Sequence, residues 1–293
     1  MKVGLFALSI GTGARPLTIR RTAETAERTG FSTLWVGEHV VLFDEHASRY
    51  PYSQNGQFPV ASDSDWLDPF ATLTYAAAFT SRIRLATGIC LLPEHNPLVL
   101  AKQVASLDQL CGGRFTFGVG VGWLAEEFAA LGVPFERRAQ RAVEYLAVMR
   151  KLWTESITTF DGEFVKFKGV RSFPKPPQNA KLPVFFGGES APALRRAAEH
   201  GNGWFGFNLD PGQTRAKVAK LHAMMRARGR DPRELEVAIS PYSKRIAPHD
   251  LEGYRDAGVS EVVIVASPPQ DESQVGAWVE RLAEKWVEPA AKL

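Results

Sequence analysis

The stretch Leu182-Pro183-Val184-Phe185-Phe186-Gly187-Gly188-Glu189-Ser190-Ala191-Pro192 changes physical character twice. The apolar run through Phe186 has the continuous hydrophobicity of a strand buried on both faces. Gly187 and Gly188 then turn the chain. Ser190 opens a helix that carries Pro192 in its first turn, where a missing N–H costs nothing. Paired glycines let a backbone come close to a ligand, and the free N–H groups of a helix N-terminus face any anion placed before them. Gly187, Gly188, Glu189 and Ser190 are therefore a candidate phosphate landing. The same residues also satisfy a purely structural strand-turn-helix.

Working outward, the strand-then-helix unit recurs in both directions. Towards the N-terminus the apolar runs Val3–Ser9, Thr33–His39, Ile83–Leu92 and Arg114–Val121 read as strands, separated by helical spacing over Leu17–Thr29, Asp68–Ser81 and Pro97–Leu110. Helical segments follow over Ala125–Leu131 and Arg137–Trp153. Towards the C-terminus, strands at Gly203–Asn208, Leu235–Ser240 and Glu261–Ala266 alternate with helices over Gln213–Arg228, Asp250–Ala257 and Ser273–Trp286. Strands that are apolar throughout and alternate with helices define the α/β class. The number of repeats in one chain predicts a single (β/α)8 TIM barrel over residues 1–293, not an open sheet. Two insertions interrupt the repeat. A long loop after strand 2, about Val40 to Asp68, is rich in aromatic residues; it reads as a lid or pocket wall, or as a surface loop tacked down by its rings. Thr158–Phe173, before strand 5, alternates as a β-hairpin with Asp161-Gly162 at its turn.

Thirty-five Lys and Arg against thirty-two Asp and Glu leave a net charge of +3 without a basic block, which argues against a nucleic-acid surface. No apolar run is long enough to cross a bilayer, so no membrane association is expected, and the N-terminus reads as a first strand, not a signal peptide. Cys90 and Cys111 form no metal-like pair; a reducing, cytoplasmic setting is expected.

In such barrels the chemistry sits where the strands end. That rule collects Ser9, Glu38, His39, Cys90, Trp123, the Gly187–Ser190 turn, Trp204, Ser240 and Tyr242, a set rich in glycine and aromatics and poor in charge. No His and carboxylate spacing points to a metal, and none is expected. The run Gly118-Val119-Gly120-Val121-Gly122 fails the dinucleotide fingerprint because its third glycine would fall at Trp123. Small residues here leave room for a flat ring, or serve a tight bend. His39 is the titratable base at a strand end: a proton-transfer group, or a residue that bonds a loop carbonyl. Glu38 points to the opposite face if the strand stays regular. A phosphate turn, a glycine floor, aromatic walls and one histidine suit a flavin-type cofactor.

Ordered motifs along nearly the whole chain sharpen this. They include Trp35-Val36-Gly37-Glu38-His39, Trp66-Leu67-Asp68-Pro69, Arg82-Ile83-Arg84-Leu85-Ala86-Thr87-Gly88-Ile89, Leu98–Lys102, Ser106-Leu107-Asp108, Gly112–Phe115, Gly118–Leu124, Glu126-Glu127-Phe128, Pro174–Pro177, Gly187–Ser190 and Asn202-Gly203-Trp204. In these the chain resembles the luciferase-like monooxygenase superfamily, in its branch of coenzyme F420-dependent oxidoreductases. The resemblance implies a deazaflavin or flavin ring at the barrel mouth, bedded on Gly88, Ile89, Gly120 and Gly122, with a non-proline cis peptide at Gly88–Ile89. It implies phosphate contacts from Gly187, Gly188, Glu189 and Ser190, with the Glu189 carboxylate turned away. His39 would transfer a proton or contact the ring, and the chain would form a homodimer through barrel-side helices. Sugar-phosphate dehydrogenases of the superfamily carry a catalytic glutamate where this chain has Trp123. The departure points to a more apolar, small organic substrate, bound by Phe43, Tyr52, Trp66 and Trp123. The expected activity is hydride transfer between coenzyme F420 and that substrate. The alternatives are a monooxygenase using reduced FMN and oxygen, and a catalytically silent cofactor-binding barrel.

Overall fold

A run such as Glu261-Val262-Val263-Ile264-Val265 is β-branched and buried through Ile264, and such a run is stable only with sheet neighbours on both sides and helices or side chains on both faces. The computed structural model, which describes residues 1–293, meets that need by closing the sheet on itself. In chain order the strands are β1 (Lys2–Phe6), β2 (Thr33–Val36), β3 (Arg84–Thr87), β4 (Cys90–Leu91), β5 (Phe115–Gly120), β6 (Thr158–Asp161), β7 (Lys166–Val170), β8 (Val184–Gly187), β9 (Gly203–Phe207), β10 (Glu236–Ser240) and β11 (Glu261–Val265). β3 and β4 are two halves of one barrel strand, and both pair with β5, which closes the ring. Every barrel pairing is parallel. The protein is a closed eight-stranded (β/α)8 barrel, with β6 and β7 set apart as an antiparallel hairpin.

The covering helices are α1 (Pro16–Arg28), α2 (Pro69–Ala77), α3 (Pro97–Leu110), α4 (Ala125–Ala130), α5 (Arg138–Thr154), α6 (Ala191–His200), α7 (Pro211–Arg226), α8 (Asp250–Asp256) and α9 (Val275–Ala290). Side-chain caps set several of their starts: Asp68 accepts from the Ala71 N–H, Asn96 from Leu98 and Val99, and Asp210 forms a capping box with Gln213. The apolar packing splits into two layers. Outward-facing strand residues pack against the helices in one large cluster. Trp35, Ala86, Phe185, Phe205, Ala238 and Val263, one from each of six strands, plug the barrel interior; Trp35 stacks on Phe205 at 4.7 Å.

The structure departs from the sequence expectations at three places. Strand 3 is not continuous over Ile83–Leu92: it breaks between Thr87 and Cys90, with Gly88–Ile89 in the cis form. β2 stops at Val36, so Gly37, Glu38 and His39 already belong to the mouth. The hairpin turn is wider than Asp161-Gly162. The Glu144 carboxylate on α5 accepts the N–H groups of Glu163, Phe164 and Val165 at 2.9, 2.7 and 2.8 Å, satisfying backbone groups that a two-residue turn would not expose. No helix is long and apolar enough to cross a membrane.

Candidate active site

At the C-terminal ends of the strands lies a cavity of about 590 Å³. Its floor is the break in strand 3. Ile89 projects there, and the glycines around it explain themselves by what a Cβ would strike. A Cβ on Gly120 would lie 1.9 Å from Ile89 Cδ1, one on Gly187 would lie 3.0 Å from Ile89 Cγ2, and one on Gly118 would lie 1.9 Å from the Thr87 carbonyl oxygen. Gly88, Ile89, Gly120, Gly122 and Gly187 all border the cavity. The space that Gly120 and Gly187 free is occupied by Ile89; of the two readings of the Gly118–Gly122 run, room for a ring or a tight bend, Gly120 therefore makes room for a bend in its neighbour. The glycines permit the bulge, and the bulge shapes the floor.

One end of the cavity is formed by the Gly187–Ser190 turn and the start of α6. Ser190 caps α6 by accepting the Ala193 N–H at 3.3 Å, and Gly188 takes a φ of +104°, which only glycine adopts without strain. The turn is held from behind: Trp204 Nε1 donates to the Gly188 carbonyl at 2.9 Å, and Lys217 Nζ to the Glu189 carbonyl at 2.7 Å. The Glu189 carboxylate swings away from the helix start and accepts the Phe207 N–H at 2.7 Å. Burial pushes its carboxyl up to about 7, against the opposing pull of the Phe207 N–H and the Tyr52 hydroxyl. Two arginines missed in the sequence, Arg138 at the start of α5 and Arg196 on α6, join this wall. Arg138 donates to the Gly122 carbonyl at 3.2 Å and covers the Phe135 ring at 3.7 Å. Neither guanidinium has a carboxylate partner, and Arg196 Nε is buried with no hydrogen bond. Two arginines without acidic partners thus stand beside a helix N-terminus and make this corner of the cavity electropositive.

The other end is organised by His39. Its Nδ1 lies 2.7 Å from Glu127 Oε2, and Glu127 Oε1 accepts the N–H groups of Val40 and Val41 at 2.6 and 3.1 Å. A carboxylate that accepts at Nδ1 fixes the proton there and leaves Nε2 as the ring nitrogen open to a ligand. His39 thus bonds a buried glutamate and not a loop carbonyl. Phe58 and Trp66 meet its ring edge-on at 5.0 and 5.1 Å, and Trp123 at 5.9 Å. Tyr52, Trp66 and Trp123 line the cavity as expected. Phe43 does not border it. Its segment is drawn towards α4, where Glu127 takes the Val40 and Val41 N–H groups and Glu126 those of Ala47 and Ser48. Tyr50 and Phe58 fill the wall instead, packing on Trp123 at 5.2 and 5.5 Å.

Beneath His39 is a second polar layer. Glu38 accepts the Leu91 N–H at 2.5 Å and contacts His95 Nε2 at 3.0 Å. Burial works to raise its carboxyl, but the His95 bond and charge and the Leu91 N–H outweigh it and hold the group below its usual range. Cys90 joins the same knot, and ligand atoms of Glu38, Cys90 and His95 fall within 4.8 Å of one another. Sequence spacing did not reveal this grouping, the one place where three potential metal ligands meet; here Glu38 is engaged by its neighbours. Of the other strand-end residues, Tyr242 borders the cavity, whereas Cys90, Trp204 and Ser240 are fully buried.

Residues 1–243 match the family described as luciferase-like monooxygenase. The chain belongs to that family. Across nearly its full length it is similar to an uncharacterized protein of Mycobacterium tuberculosis, 36% identical over 283 residues that span 96% of this chain and 98% of the relative. Two solved structures share the luciferase-like fold. The coenzyme F420-dependent tetrahydromethanopterin reductase from Methanopyrus kandleri superposes with a TM-score of 0.76 at 18% identity, covering 98% of both chains. The monooxygenase RslO1 from Streptomyces bottropensis superposes with a TM-score of 0.75 at 20% identity, covering 98% of this chain and 99% of its own. Members of the luciferase-like family are oxidoreductases and monooxygenases that act on small molecules.

Within this luciferase-like barrel, two groups of site residues were not found from sequence. Glu127 lies far along the chain from His39, and its pairing depends on how the long loop folds over α4. Arg196 follows Ser190 by two i+3 steps along one helix, a usable signal that the sequence analysis did not use. Arg138 carries no such signal.

Proposed function

We propose that the protein is an oxidoreductase that moves a hydride between coenzyme F420 and a small, apolar organic substrate. The observation that carries this reading is the polarity of the cavity: unpaired Arg138 and Arg196 beside the Ser190 helix start at one end, and His39 among aromatic rings at the other. The donor set fits a ring with a phosphate-bearing chain. Gly187, Gly188, Glu189 and Ser190 would offer backbone and hydroxyl donors to the phosphate, and the cis Gly88–Ile89 segment with Gly120 and Gly122 would support the ring. When bound, the cofactor supplies the hydride-accepting or hydride-donating carbon.

The chain's own residues do the rest. Tyr52, Trp66 and Trp123 exclude water and present an apolar face to the substrate. His39 exchanges a proton through Nε2 with the substrate heteroatom next to the reacting carbon, and Glu127 holds the ring in place through Nδ1. Two buried free cysteines fit a reducing cytoplasm, and a homodimer packed through barrel-side helices would cover exposed Val99 and Leu110 on α3. The same phosphate end accommodates FMN, so the cofactor is tested directly. Purified protein is titrated with F420 and with FMN while fluorescence quenching is followed. Tight F420 binding is expected; tight FMN binding with no response to F420 overturns the assignment. In His39→Ala we expect turnover to fall by about 10²-fold or more, with cofactor affinity kept.

A further inference from the structure

Round the barrel from the Gly88–Ile89 floor, the cavity has a wall of different chemistry. Tyr50, Tyr52, Glu189, Phe207 and Tyr242 all border the cavity there. Phe207 closes β9 and Tyr242 follows β10. The rings interlock: Tyr242 stacks on Phe207 at 4.6 Å, Tyr52 meets Phe207 edge-on at 5.0 Å, and Tyr50 meets Tyr52 at 5.4 Å. Against them stands the Glu189 carboxyl. It accepts the Phe207 N–H at 2.7 Å and the Tyr52 hydroxyl, which fill two of the roughly four acceptor positions a carboxylate offers. It forms no ion pair. Lys217 on α7, the cation that pulls on it, gives its Nζ to the Glu189 carbonyl at 2.7 Å. A half-buried acid without a counter-cation, set among aromatic rings, is the donor set that an organic ammonium ion satisfies. The carboxylate pairs with its charge and N–H groups, and the rings attract the cation.

We propose that Glu189 and the tyrosines around it determine substrate specificity, and that the substrate carries an ammonium group seated there while its reacting carbon lies towards His39. The proposal rests on the reading of this cavity as a hydride-transfer site and adds a second feature to its apolar substrate. The rings run without a break between the two polar points: Trp123 meets His39 at 5.9 Å and Tyr50 at 5.2 Å. An apolar body lying along them links the two ends. The ammonium is held away from the reacting carbon and takes no part in making or breaking bonds.

The test uses the full chain saturated with F420, or with FMN should it bind that alone. It is run at pH 8, above the value of about 7 to which burial brings the Glu189 carboxyl. The probes are benzylamine, a cation at that pH, and benzyl alcohol, its neutral counterpart of similar size, titrated by calorimetry. Wild type is expected to bind benzylamine about tenfold more tightly. Glu189→Gln keeps an acceptor for the Phe207 N–H and removes the charge, so the preference should fall to within about twofold. Tyr242→Asn removes one ring at a backbone φ of +50°, which asparagine tolerates, and should reduce the preference by about threefold. Circular dichroism and thermal unfolding check that both variants fold. Equal wild-type affinities for the two probes overturn the site, as does a preference that survives Glu189→Gln. Benzylamine that competes with the cofactor lies in the cofactor's space and overturns it too. A preference seen with FMN in a protein that does not bind F420 supports the ammonium site while removing the F420 assignment, so the two readings fail separately.

Discussion

Glu94 carries its carboxyl into the protein beneath the mouth with neither oxygen hydrogen-bonded. Burial, then the charges of Glu127 and Glu38, push it up to about 9. The folded protein therefore holds this proton over a range where the unfolded chain has released it, from the ordinary value of 4.5 upward. Linkage then makes stability fall as pH rises between about 4.5 and 9. Glu94→Gln keeps the shape and removes the titration. We expect it to be more stable than wild type by on the order of a few kcal/mol at pH 8, with the difference shrinking towards pH 5. Thermal unfolding of both proteins at the two pH values checks this; a variant no more stable at pH 8 contradicts it. Glu127 differs in its bonding: both of its oxygens are hydrogen-bonded, to His39 and to the Val40 and Val41 N–H groups. Glu127→Ala strands His39 and two backbone N–H groups, and should cost about 3 kcal/mol or more in denaturant unfolding. Glu94 did not stand out in the sequence, and Glu127 stood there only within the motif Glu126-Glu127-Phe128, without a role. Glu127 sits in a short amphipathic segment, and Glu94 directly after Pro93, both ordinary surface contexts until the barrel brings them together.

At the scale of elements, the repeated units were legible because each apolar strand and each capped helix obeys a local rule. Pro97–Leu110 falls where its early proline and the glycines after its end place it, and the structure adds Asn96 as its cap. What was not legible is non-local. The break in strand 3 depends on Gly118, Gly120 and Gly187 from two neighbouring strands making way for Thr87 and Ile89. A methyl group at Gly120 cannot fit without displacing Ile89. Gly120→Ala should cost about 1–3 kcal/mol by overpacking and weaken ring binding more than any single aromatic substitution in the loop. Comparing its unfolding midpoint and cofactor affinity with wild type tests both parts. Phe43 failed as a wall residue for a related reason: residue type marks the long loop as aromatic, but α4 decides which stretch of it turns inward.

For the molecule as a whole, a net charge of +3 understates the local field, because Arg138 and Arg196 stand together at one end of an otherwise apolar cavity. Raising ionic strength from about 0.05 to about 0.5 M should weaken a phosphate-bearing cofactor by about threefold or more and leave a phosphate-free ring analogue nearly unaffected; equal salt dependence would contradict the site. The loop after β2 is fastened at both ends of its span. Trp66 Nε1 donates to the Gly37 carbonyl at 3.2 Å, the Gly11 N–H to Asp65 at 2.9 Å, and the Leu67 N–H to Ser9 at 2.9 Å. The middle touches the far wall through Asn208, which donates to the Tyr52 carbonyl at 3.1 Å. The centre is tied down as well: Glu126 accepts the Ala47 and Ser48 N–H groups at 2.7 and 3.1 Å, and Tyr50 and Phe58 pack on Trp123. A segment fastened at its ends and its centre is a standing wall, so the mouth keeps its shape before any ligand arrives. Protease cleavage within residues 44–64 should then be slow in the free protein, and Tyr50→Ala should speed it.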